Sequence, residues 1–499
     1  MKSTLLGSLL LAGVCAQAQP VMVSDFNRID SSSSNPCWLT GYYNKLLFFA
    51  DNGINGNELC TFNDTAIAVV ADLNPISAGG PSSSFRKMAQ VKNDIYFPGD
   101  NGNTGMELFK WTGSGLPVLV AEVRAGASGS DPDEVVAFSD KLYFNANDGI
   151  NGNELWTYDP ATNSAQRLTD LATGTNSSNP HDFVAYKGKL YFVATGSSTG
   201  IELYCYDPAT NATTLATDIN TGIGSSNPQA LTVINDKLYL TASTLTYGRE
   251  LYMFDGKNIV RLTNIDNGAN DGAAAVANGQ TGIISYKNMI LFSGNSGLSG
   301  NQFYQYNPAN GVASMVFMMN PLGNSDPSNF KEYAGKLFFS ADDGVHGNEL
   351  WAYDGKLQPY MVGDIDSGMN ASSPMDMTQY GTHLYFSAST TASGRELYVL
   401  LDSAALSVQN VKFNASVKVY PNPATSETHI AIELQRDQAM AILITDITGK
   451  EILNIPVKNY TSGEHIIDVP MQQATPGIYI YRIADNSGKM LAGGKIQKQ

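Results

Sequence analysis

The chemistry this sequence offers most often is a carboxylate set against a glycine turn. Asp51, Asp100, Asp148, Asp342 and Asp343 stand in DNG, NDG and DDG strings, each followed by a second glycine step. Oxygen-rich turns of this kind can hold calcium, the one cofactor the sequence suggests. The D-x-D-x-D-G spacing of the known calcium loop is absent, however. Asp-Gly and Asn-Gly also supply positive φ for hairpins at low cost, so turn formation is the competing reading.

A second carboxylate is more regular. Glu58, Glu107, Glu154, Glu202, Glu250, Glu349 and Glu396 open an EL(W/Y/F/C) phrase, and Gln302 fills the one gap. The spacings are 49, 47, 48, 48, 52, 47 and 47 residues. A carboxylate in seven of eight copies serves a scaffold better than one active site, and backbone amides of a neighbouring loop would be its partners. Catalytic signals are few. His181, His346 and His383 lie in the repeats without a shared context, and there is no P-loop and no HExxH. Nor is a G-x-S-x-G nucleophile elbow expected. Convergent carboxylates on a ring axis are the one enzymatic route left open, and the sequence selects no pair. The expected catalytic set is therefore empty.

The elements that must position these residues follow from the repeat. Eight copies of a unit near 48 residues run through about 19–402, and Pro36, Pro81, Pro132, Pro180, Pro228, Pro327 and Pro374 mark seven of them. Residues 179–219 read as four short strands: DFVAY, KLYFVA, IELYCYD and TTLATDI, punctuated by Gly, Asn, Asp and Pro. Four-stranded units at this period predict a β-propeller, here all-β with eight blades. The last copy stops after RELYVLLD, and VMVSDFNRIDSSSSNP at 21–36 resembles ATDINTGIGSSNP at 216–228. The N-terminal strand is therefore expected to complete the last blade and close the ring. Copy six, residues 266–320, is the most divergent.

Bulk properties narrow the address. The formal charge is −16; residues 1–18 contribute +1 and residues 418–499 cancel, leaving −17 on 19–417. Such a body repels phosphate backbones, which argues against nucleic acid as a partner. MKSTLLGSLLLAGVCAQAQ reads as a signal peptide, residues 1–18, ending in Ala16-Gln17-Ala18. A lipoprotein reading would use Cys15, and Val14 fits it poorly. No other stretch is apolar enough to span a membrane. Cys37, Cys60 and Cys205 remain, an odd number read as buried, unpaired thiols.

Two resemblances follow from quoted residues. The ELWxYD phrase resembles the ELWxxDGT, hyalin-like repeat of secreted bacterial proteins over about 21–402, although DGT is replaced by DPATN at 159–163 and 207–211. That resemblance implies architecture rather than activity. The C-terminal segment resembles the sorting domain of type IX secretion cargo in the Bacteroidetes lineage. The matching positions are Tyr420, Pro421, Asn422 and Pro423; Asp446, Gly449 and Lys450; Pro476, Gly477 and Tyr479; and Gly494 with Lys495. The resemblance implies passage through the periplasm to the outside, with the type IX machinery as partner. The strand alternation of 418–499 suggests a small β-sandwich, and 403–417 would be a linker. The lineage also implies O-glycosylation at Asp64-Thr65-Ala66 and Asp402-Ser403-Ala404.

The resulting expectation is an exported, non-enzymatic binding or adhesion protein. Glycans or surface proteins would sit on one rim or in the central funnel, among Tyr, Trp and acidic groups. The alternative is a glycan-degrading hydrolase or lyase.

Overall fold

The computed structural model describes residues 19–27, 32–75, 87–276, 280–401, 415–434, 437–446, 451–472, 474–484 and 490–499. The signal peptide, Pro81, most of the linker, Asp402-Ser403-Ala404, Gly449 and Lys450 lie outside the described residues. The chain divides into two compact units, one of them Pro20–Leu400 and the other built on the residues from Leu401 onward. Among the described residues, no helix is long and apolar enough to cross a membrane.

The first unit is all-β, built from eight four-stranded sheets, and is propeller-like. Copy four shows the plan: His181–Tyr186, Lys189–Gly196, Gly200–Asp207 and Ala212–Thr217 pair in that order, each antiparallel to the next. The second strand is buried along nearly its whole length, as in Lys45–Asp51 and Lys189–Gly196. Both faces of each sheet are covered, so this strand reads as a continuous apolar run rather than an alternation. The covering comes from the adjacent copy. One core cluster joins Phe49 and Leu59 of copy one to Phe97 and Trp111 of copy two. Others join copies two and three, three and four, and so on to six and seven. Each fully buried Leu or Phe in these seams contributes about 1.5–3 kcal/mol.

Copy eight supplies three strands, Met375–Tyr380, His383–Thr390 and Gly394–Leu401. Strand Gln19–Ser24 lies beside Gly394–Leu401 as the fourth. A core cluster joins Leu46 and Phe48 of copy one to Tyr385 and Leu397 of copy eight.

The hairpins between second and third strands need backbone that an L side chain resists. Gly152 has φ +67°, and a Cβ there would stand 2.1 Å from the Asn176 carbonyl oxygen in the crossover loop. That close approach explains the second glycine step of the repeated phrase.

The C-terminal unit has two sheets: Ala415–Tyr420, Glu427–Leu434 and Gly463–Pro470 in one, and Glu451–Tyr460, Gln438–Asp446, Gly477–Ala484 and Met490–Lys498 in the other. A single core draws Ile430, Ile432 and Val469 from the first and Ile442, Ile444, Tyr481 and Ile496 from the second. Two sheets sharing one core make a sandwich.

Candidate functional site

The regular glutamates of the repeat are seven of the chain's 46 Asp and Glu residues. All seven are buried, at 2% exposure or less. Glu202 accepts from the Ile219 amide at 2.9 Å, the Asn220 amide at 3.3 Å, and the Ser226 amide and hydroxyl at 2.8 and 2.6 Å. Glu107 and Glu349 hold Ser130 and Ser372 in the same way. These serines stand two residues before the marker prolines, so the two sequence markers form one device. The glutamate of one copy ties down the loop leading into the next. Glu396 of copy eight grips the Ser34 amide at 2.9 Å and its hydroxyl at 2.5 Å, and the Phe26 amide at 3.1 Å. In copy six the device is inverted. Gln302 Nε2 donates to the carbonyls of Ser299, Asn320 and Gly323, and its Oε1 accepts from the Met319 and Asn320 amides. Burial holds the carboxyls of Glu58 and Glu250 up at about 7.

The hairpin acids use their oxygens locally. Asp51, Asp100 and Asp342 each accept the amide of the following glycine at 2.6–2.8 Å. Asp148 caps the Ile150 and Asn151 amides, and Asp343 caps those of Val345 and His346. Among the described residues no group of three or more His, Cys, Asp or Glu side chains is placed to hold a metal. Cys37, Cys60 and Cys205 are buried free thiols. The string Gly196-Ser197-Ser198-Thr199-Gly200 has the G-x-S-x-G spacing, but it forms the hairpin between two strands rather than a strand-to-helix turn.

The position that differs between copies lies two residues after the marker proline in six of them. Register aligns Trp38, Lys87, Glu134, Asp182, Ala230, Gly282, Asn329 and Asp376 at the start of the first strand of each copy. In six copies a β-bulge interrupts the ladder here, and the first bulged residue takes φ between +50° and +57°. This strand has no outer neighbour in its own sheet, so its amides need other partners. They find them in the adjacent copy. Glu134 accepts the Asp182 amide at 2.7 Å, Asp182 accepts the Ala230 amide at 3.1 Å, and Asp376 accepts the Trp38 amide at 3.2 Å.

These strand starts surround a cavity of about 630 Å³ lined from copies one, two, six, seven and eight. Trp38, Lys87, Gln280, Lys331, Asp376 and Arg395 are among its polar and aromatic groups. A smaller cavity, about 160 Å³, shares Lys87, Gln280 and Thr281 with it and reaches Asp182. Arg395 is largely buried, and its Nη1 donates to the Ser373 carbonyl at 3.0 Å and the Ser387 hydroxyl at 3.3 Å. Burial pushes the Asp376 carboxyl up, against the pull of the Trp38 amide, Arg395 and Lys87. Burial likewise raises Glu134 to about 7, and Lys87 stands 4.0 Å from it. The cavity differs from the expected funnel in composition: lysines and an arginine line it, and no tyrosine does. The tyrosines are used between copies instead. Tyr42, Tyr186, Tyr286 and Tyr333 donate their hydroxyls to carbonyls in the next copy's turn. The sequence did carry a signal for this position, the residue at proline plus two in six copies, but its lack of constancy hid it.

In the C-terminal unit the separated motif residues meet. Asn422 donates to the Lys495 carbonyl at 2.9 Å and accepts from the Gln497 amide at 2.8 Å. Tyr481 pairs with Gly494, where a Cβ would stand 2.6 Å from its ring. Tyr479 donates to the Thr475 carbonyl at 2.7 Å, and Asp446 lies opposite it on the neighbouring strand.

Comparison with known proteins agrees with this end of the chain. Residues 418–496 match the family described as the secretion system C-terminal sorting domain. This type IX sorting domain directs the protein to the cell surface or extracellular space and implies contact with the type IX machinery. No curated protein matches the chain. Among solved structures, the chain is similar to PorZ, a bacterial surface component of the type-IX secretion system of Porphyromonas gingivalis. That match has 12% identity and a TM-score of 0.38, covering 94% of this chain and 60% of PorZ. A puromycin-hydrolyzing peptidase of Mycobacterium tuberculosis matches at 8% identity and a TM-score of 0.46, covering 74% of this chain and 60% of its own. A fungal alcohol oxidase of the AA5 family matches at 11% and 0.39, covering 96% and 98%. The chain thus spans 60% of the length of the first two.

Proposed function

We propose that the first unit is an eight-bladed propeller closed by strand Gln19–Ser24, and that it is a non-enzymatic binding module for glycans or surface proteins. Closure is supported by the Glu396 grip on Ser34 and by the Asp376–Trp38 bond, both of which join copy eight to copy one. The binding reading rests on one observation above all. The repeated glutamates are each consumed by a loop, whereas the axial position carries a different side chain in almost every copy. A residue kept in every copy serves the ring. A position that varies around the axis is free to serve a ligand.

The alternative, a glycan hydrolase or lyase, needs a pair of carboxylates free to exchange protons. Glu134, Asp182 and Asp376 each hold a neighbour's backbone amide, a positioning role. The hairpin acids are proposed as turn formers, with calcium as the reading they compete against. The ELWxxDGT-type repeat is retained as the proposed ancestry of the copies. Thr65, exposed in the turn after Phe62, is the described candidate for O-glycosylation.

The test is the mature full-length chain on a glycan array, with calcium and with chelator, alongside a turnover assay on every saccharide bound. Binding without turnover, unchanged by chelator, is the expected result. Turnover of a bound glycan would refute the non-enzymatic reading, and binding abolished by chelator would refute the turn-only reading of the acids.

A further inference from the structure

The axial cavity has a charge the rest of the unit does not. Residues 19–417 carry −17, yet the 630 Å³ cavity is lined by Lys87, Lys331 and Arg395 against one carboxylate, Asp376. That carboxylate already accepts the Trp38 amide at 3.2 Å. Lys87 is shared with Glu134 at 4.0 Å. Lys331 is different: among the described residues no carboxylate lies within ion-pair distance of it. Its own alignment is telling, because the register places it where copies one, five and eight carry Thr40, Thr232 and Thr378. A lysine substituted for threonine beside the axis adds nothing to the ladder and brings a cation to the cavity.

The neutral groups add a second requirement. Thr40 and Thr378 donate their hydroxyls to the Trp38 and Leu39 carbonyls, which leaves the hydroxyl oxygens as acceptors. Asn329 donates its amide to the Ser340 hydroxyl and the Pro374 carbonyl, which leaves Oδ1 as an acceptor. The lining therefore presents cations for an anionic group and acceptors for hydroxyl donors. Trp38, half-buried and edge-on to Phe49 at 5.0 Å, adds an aromatic wall. The volume lies within the roughly 300–1,000 Å³ of small-ligand sites.

We propose that this cavity binds an acidic saccharide, its carboxylate held by Lys331 with Lys87 and its hydroxyls donated to Thr40, Thr378 and Asn329 against Trp38. The proposal rests on the binding-module reading and names its ligand class. Uronic acid oligosaccharides carry that chemistry.

The experiment is calorimetric titration of the mature full-length protein with oligouronates (galacturonate, glucuronate and mannuronate series) and with their methyl-esterified, uncharged counterparts. At least one acid is expected to bind, its ester at least tenfold more weakly. Lys331→Glu should weaken the acid about tenfold or more, which is the loss of one charge-assisted contact. Lys331→Ala should weaken it less, and Lys257→Glu, in an exposed turn, should leave it unchanged. Thermal melts establish that each variant is folded, and the acid-against-ester comparison needs no variant. Equal binding of acid and ester, or binding of neutral saccharides alone, overturns the acidic assignment while the binding module stands. Failure of every saccharide to bind overturns the acidic-saccharide assignment and leaves a surface protein as the module's ligand. Acid binding that Lys331→Glu leaves intact overturns the placement.

Discussion

The inverted contact in copy six yields a reciprocal test of what holds the loops between copies. Glu202→Gln keeps one acceptor oxygen and replaces the other with an N–H₂ facing the Ile219 amide and the Ser226 hydroxyl. The serine hydroxyl can turn and accept, but the Ile219 amide loses its partner in a buried site. An orphaned buried donor costs about 1–3 kcal/mol, and the remaining bonds lose their charge assistance, so about 3 kcal/mol is expected. Gln302→Glu is the opposite case. Three carbonyl oxygens, at 2.7, 2.7 and 2.9 Å from Nε2, would face a carboxylate. Both N–H donors, shared among those carbonyls, are lost and a charge is buried against like-signed dipoles, at about 3–5 kcal/mol. Unfolding entropy of about 2.1 cal/mol/K per residue makes 3 kcal/mol roughly 4 °C in melting temperature for Pro20–Leu400. Differential scanning calorimetry reads both variants.

The pH dependence separates that cost from general damage. The carboxyl introduced at position 302 has its folded pKa raised by burial and by the carbonyls. Its penalty is therefore absent below the unfolded value near 4.3 and grows as pH rises toward the raised folded value. The melting deficit of Gln302→Glu should shrink between pH 7 and pH 4.5. The loop-clamp argument is refuted if Gln302→Glu melts with the wild type at pH 7, since donor and acceptor would then be interchangeable at this position.

Three further outcomes are expected. Gly152→Ala, at φ +67° with a Cβ 2.1 Å from Asn176 O, should lower stability by about 2–4 kcal/mol, measured by urea unfolding. Asn422→Ala removes both bonds joining the YPNP segment to the last strand and should cost the C-terminal unit about 2 kcal/mol. Fractionation of the host should then show the protein accumulating in the periplasm, and unchanged export would reject a sorting role for this contact. His346 Nδ1 donates to the Asp343 carboxylate at 2.7 Å, and that hydrogen bond raises the His346 pKa. The pair's contribution is present below the unfolded histidine value near 6.5 and is lost as pH rises through the raised folded value. NMR titration should place His346 above 6.5 in the wild type and move it down in Asp343→Asn.

The sequence by itself determined whatever is local or repeated. Strand type, hairpin glycines and the 48-residue unit follow from spacing, because eight similar copies must solve the same packing problem with the same residues. The export signal was equally legible, since its turns need Pro, Asn and Gly in fixed order. Only the tertiary structure decided which residues meet. It joined Glu202 to Ser226, inverted the same contact at Gln302, and set Tyr42, Tyr186, Tyr286 and Tyr333 in the seams between copies. It also brought Lys87, Lys331 and Arg395, separated by 64 to 308 residues, around one cavity. Periodicity detects sameness, and this cavity is lined from a position at which the copies differ.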